Sequence, residues 1–68
     1  MKTKLKDEAK SHAKEQSLNE DYKDAPVYII HCNRTDFYYV DTDSLIRLWE
    51  QLIGYYVNGV FTDEEQHS

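Results

Sequence analysis

A single cysteine, Cys32, stands among 68 residues, so no internal disulfide can staple the chain. One thiol and three scattered histidines, His12, His31 and His67, cannot build a tetrahedral zinc site either. A small protein without these staples depends on packing for its stability. The only glycines, Gly54 and Gly59, cannot make a glycine-rich phosphate loop. No run approaches the roughly 18 apolar residues of a membrane span, and the amino terminus shows no apolar signal core. The expected location is the cytoplasm, and a lone thiol agrees with a reducing compartment. Asn33-Arg34-Thr35 matches a glycosylation sequon but reads as a chance match in a turn.

Basic residues are scarce where the apolar residues lie. Residues 1–25 carry six Lys against six acids, whereas residues 26–68 carry only Arg34 and Arg47. Against those two stand Asp36, Asp41, Asp43, Glu50, Asp63, Glu64 and Glu65, so the net charge of -5 belongs to the second part. Non-specific nucleic-acid affinity needs clustered cations, so this acidic surface disfavours direct nucleic-acid binding and suits a basic or neutral protein partner.

What is present divides the chain at Pro26. Residues 1–25 read as a mobile charged amino-terminal arm, with Leu5, Ala9 and Ala13 spaced for a weakly amphipathic helix that contact would stabilise. From Val27 the composition becomes β-branched and aromatic. Val-Tyr-Ile-Ile-His-Cys and Phe-Tyr-Tyr-Val flank turn formers at residues 33–36, which predicts a hairpin of residues 27–32 and 37–41. With Cys32 opposite Phe37, one face carries Tyr28, Ile30, Cys32, Phe37 and Tyr39, and the other Val27, Ile29, His31, Tyr38 and Val40. Both faces are apolar and both call for cover.

The spacing of Leu45, Leu48, Trp49, Leu52, Ile53 and Tyr56 predicts a helix over 43–58, with Asp41 and Asp43 near its start and Asn58-Gly59 as its stop. Ile46, Tyr55 and Val57 widen its apolar arc to roughly 200°. The expected fold is α+β: a ββα unit of residues 26–61, an antiparallel hairpin packed on one amphipathic helix, with the arm before it and a frayed acidic tail of residues 62–68. One helix cannot cover both hairpin faces; a homodimer is the favoured cover, and the alternatives are a different protein or the amino-terminal arm folded over the patch.

Tyr39-Val40-Asp41-Thr42-Asp43-Ser44 resembles the Tyr-Gly-Asp-Thr-Asp-Ser signature of family B DNA polymerases, with Val40 in place of the glycine. That resemblance would imply metal-binding aspartates, but those enzymes also need a large palm domain that 68 residues cannot supply, and helix capping accounts for both acids. A calcium loop starting at Asp41 would require glycine and glutamate where Ile46 and Leu52 stand. His31 and Cys32 are adjacent in a strand, so they point to opposite faces and cannot form a nucleophile and base pair. The chain is therefore expected to be non-enzymatic, with no metal and no cofactor.

Aromatic side chains are the abundant resource: six tyrosines and one tryptophan. Tyr28, His31, Tyr38, Tyr39, Trp49, Tyr55 and Tyr56 are the expected partner interface, since such residues bury large area with few rotors. The leading expectation is a small protein-binding regulator or inhibitor of the kind phages and mobile elements encode, whose acids block a nucleic-acid-binding site on a host protein. The first alternative is a homodimeric adaptor or subunit of a larger complex. The second is weak nucleic-acid binding through the Lys-rich arm, with stacking on Tyr38 or Tyr39.

Overall fold

Val27 to Cys32 form the strand that organises the molecule, because it is apolar on both faces and has a neighbour on each edge. The structure, a computed structural model, describes residues 2–43 and 45–64. It contains β1 (Lys2–Thr3), α1 (Lys6–Ser17), β2 (Val27–Cys32), β3 (Phe37–Asp41), β4 (Glu50–Val57) and β5 (Val60–Asp63). The strands form one antiparallel sheet in the order β1-β3-β2-β4-β5, and α1 packs on one of its faces, giving an α+β fold.

The β2–β3 hairpin has the expected register, with Cys32 opposite Phe37 and Ile29 opposite Val40. Its turn is closed by the Asp36 backbone N–H donating to the Cys32 carbonyl at 2.8 Å, and Asp36 adopts a left-handed φ of 60° that aspartate tolerates.

The expected helix over 43–58 does not form. Residues 50–57 are strand β4, and Asn58-Gly59 is not a helix stop but the turn of a hairpin that returns as β5. Asn58 and Gly59 have φ of 52° and 83°, the conformation that selects Asn-Gly for a tight hairpin. A β-bulge explains the helical look of the sequence. Ile29 pairs with Gly54 and Ile30 with Leu52, so Ile53 is an extra residue. The insertion puts Ile53 and Tyr56, three apart, into the same core, while Leu52 and Tyr55 turn the other way. Thr62 and Asp63, expected to begin the tail, belong to β5, and residues 65–68 of that tail lie outside the described residues.

The helix that covers the sheet lies within the stretch read as a charged arm. Ala9, Ala13 and Ser17, spaced by four, are its buried stripe, and Leu5, which the sequence placed on that stripe, is exposed at the helix start. Small side chains let α1 approach closely. Ala9 and Ala13 share one core with Val27, Ile29, Ile53 and Tyr56, across the boundary expected at Pro26.

The carboxyl end of α1 grips the β4–β5 turn. Ser17 Oγ donates to the Lys14 carbonyl at 2.7 Å and accepts the Gly59 backbone N–H at 2.9 Å. Asn58 Oδ1 accepts the Asp24 N–H, and its Nδ2 donates to the Asp24 carboxylate at 2.8 Å. Ser17→Ala strands the Gly59 N–H and should cost about 1–3 kcal/mol in urea unfolding. At Gly54 a Cβ would lie 2.5 Å from the Thr62 carbonyl oxygen and 2.6 Å from the Phe61 ring. Gly54→Ala is accordingly expected to destabilise by about 1–3 kcal/mol, read as a lower urea midpoint, and a midpoint equal to the native one would refute this packing.

Candidate functional site

The β3 to β4 connection creates the second layer. β3 and β4 flank β2 and both run antiparallel to it, so residues 42–49 must travel back along β2 from the Tyr28 end to the Cys32 end. They do so on the face opposite α1: Leu45 and Arg47 line a groove of about 420 Å³ together with Ile30, Tyr39, Asp41 and Glu50. We term this segment the strap. Ile30 is 4 % exposed, Cys32 is 5 % exposed, and both belong to that face.

Turn chemistry holds the strap without helix. Asp41 Oδ1 accepts the backbone N–H groups of Thr42 at 2.7 Å and Asp43 at 3.2 Å, and Asp43 Oδ1 accepts that of Leu45 at 3.0 Å. The aspartates expected to cap a helix thus make Asx turns instead. At the other end the Asn33 N–H donates to the Trp49 carbonyl at 2.8 Å, and Glu50 Oε1 accepts the Arg47 N–H at 2.8 Å. The guanidinium carbons of Arg34 and Arg47 lie 3.9 and 5.5 Å from the Trp49 ring centroid.

The strap's own aliphatic side chains remain in water. Leu45 is 83 % exposed, Ile46 42 % and Leu48 101 %. All three belong to the apolar arc of the helix that their spacing predicts. The Asp-Thr-Asp-Ser cluster is a loop signal that could have located the segment, but nothing in the pattern announced that its leucines face solvent.

The expected interface residues separate into two groups. Tyr28, Tyr39 and Tyr55 lie on the strap-bearing face, half-buried, with the Tyr28 and Tyr55 ring centroids 5.6 Å apart. Lys2 Nζ stands 4.6 Å from the Phe37 ring centroid and 6.0 Å from that of Tyr39 on the same face. Trp49 ends the strap. His31, Tyr38 and Tyr56 instead face α1. Tyr56 is buried in the core and not at the surface, and His31 stacks on Tyr38 at 4.6 Å while its Nε2 meets Asp36 Oδ1 at 2.8 Å.

The expected acidic surface is dispersed. Asp41 and Asp43 mark the Tyr28 end of β2, whereas Asp36 sits in the hairpin turn at its other end and Glu50 pairs opposite Cys32. Glu64 lines a shallow groove with Asn33, Gln51 and Leu52, Asp63 closes β5 opposite Gly54, and Glu65 lies outside the described residues.

Cys32 is held among donors: the Thr35 hydroxyl above all, with the Thr35 and Arg34 backbone N–H groups, lowers its thiol below the ordinary 9.0, against burial and the nearby Glu50 carboxylate, which raise it. His31 projects to the opposite face, so the two are not brought together. Titration of the ultraviolet thiolate absorbance should give a midpoint below 9.0, and Thr35→Val should move it upward; an unmoved midpoint would remove the Thr35 hydroxyl as the cause.

Among the described residues no three His, Cys, Asp or Glu side chains gather as a metal would require, and no helix is long and apolar enough to cross a membrane. Compared with protein-family models, with curated proteins and with solved structures, the chain matches none.

Proposed function

We propose that this is a small non-enzymatic protein-binding module, acting as a regulator or inhibitor through its strap-bearing face. One observation carries the reading: Leu45, Ile46 and Leu48 stand in water on a segment whose backbone is already tied down at both ends. Scattered surface leucines need no explanation, but an aliphatic ridge on the face that also carries Tyr28, Tyr39 and Tyr55, with Trp49 at its end, has the composition of a protein interface core. Catalysis finds less support, because the histidine and the thiol occupy opposite faces of the sheet.

The dispersal of the acids shapes the inhibitory version. A phosphate mimic needs its carboxylates along one track, and here they sit at both ends of β2. The aliphatic and aromatic surface is therefore the stronger basis for partner choice, with the acids tuning approach and excluding acidic surfaces.

The test compares native protein with Leu45→Asp/Leu48→Asp as immobilised bait. Both side chains are exposed, so urea midpoints should agree within about 0.5 kcal/mol in stability. Proteins retained by the native chain should fall about tenfold or more on the variant. Equal retention on two equally stable baits would refute binding through the strap.

A further inference from the structure

We infer that the occupant of the strap is a second copy of this chain, laid across it antiparallel about a two-fold axis. The inference rests on the protein-binding reading above and names its partner. It starts from the order of charges along the strap. Asp41 and Asp43 are fixed at the β3 end by their turn hydrogen bonds. The cations Arg34 and Arg47 are fixed at the β4 end by the Trp49 ring. Of the acids at that end, Glu50 has Oε1 turned to the Arg47 backbone N–H, and Asp36 has Oδ1 turned to His31, which faces α1.

These ends correspond to Tyr28 and Cys32 of β2, which are about 13 Å apart at strand rise. That exceeds the Debye length of about 8 Å at physiological salt, so the strap presents two separate charges of opposite sign. Between them in the chain lie the exposed Leu45 and Ile46, and the fully exposed Leu48 follows Arg47 at the cation end.

A surface with acids at one end, aliphatics in the middle and cations at the other is its own complement when turned by 180° in its plane. An isologous contact requires that property, since every residue pair occurs twice. The antiparallel arrangement sets Asp41 and Asp43 of each copy towards Arg34 and Arg47 of the other, closes Leu45 and Ile46 between them and brings Leu48 against the partner's acidic end. The parallel arrangement would oppose like charges and is disfavoured. Closure leaves α1 outward on both copies, because α1 lies on the other face of the sheet.

Sedimentation of the full chain over a dilution series, with three exposed-site variants, tests this. Native protein should pass from dimer to monomer on dilution, and Leu48→Asp should remain monomeric with an unchanged far-ultraviolet spectrum. Arg47→Glu and Asp43→Lys each place two repulsive pairs in the homodimer, and each should weaken it about tenfold or more. Mixed one to one, the two variants set the introduced glutamate of one copy against the introduced lysine of the other, while the remaining native Asp43 meets the remaining native Arg47. A heterodimer of near-native affinity should therefore form. A native chain monomeric up to millimolar concentration overturns the inference, as does a native dimer that Leu48→Asp leaves intact or a mixture no tighter than its components. Loss of bait retention in Leu45→Asp/Leu48→Asp alongside a monomeric native chain would leave the binding role standing and exclude only the second copy.

Discussion

The central strand β2 is apolar on both faces, and the remaining elements are arranged to shield it. On one face Val27 and Ile29 are sealed by Ala9 and Ala13 of α1. On the other, Ile30 and Cys32 are buried beside a strap that must cross them to connect β3 with β4. Sixty-eight residues thereby give a three-layer arrangement of helix, sheet and strap. A strand of this kind would cost several kcal/mol per exposed aliphatic pair if either layer were lost.

The two covers differ in kind. The helix buries alanine and serine against the sheet, small side chains that allow a close approach. The strap is irregular backbone, held by Asp41, Asp43 and Glu50 side chains, and it leaves Leu45 and Leu48 largely exposed. The surface proposed for binding is thus a by-product of topology: two parallel strands on either side of a third oblige a crossover, and this one is too short for a helix that could bury its apolar residues.

Each misreading of the sequence traces to a particular physical cause. The bulge at Ile53 shifted the alternation by one, so Leu52, Ile53 and Tyr56 imitated a helical repeat. Gly54, the run Tyr55-Tyr56-Val57 and above all Asn58-Gly59 were the contrary signals, and they belong to a hairpin. For α1 the spacing of Ala9 and Ala13 already allows a helix that contact would stabilise: three small residues carry little hydrophobicity, yet they are enough where a sheet face awaits a close-packed helix.

By itself the sequence determined the β2–β3 hairpin, its register and the two apolar faces, because alternation of β-branched and aromatic residues about a turn is a local signal. It also determined the charge asymmetry, which is a matter of composition. Only the tertiary structure decided which segment became helix and which became strand, which tyrosines went inside, and which leucines stayed out. Those outcomes depend on long-range competition for the two faces of β2, and no short window of residues contains that competition.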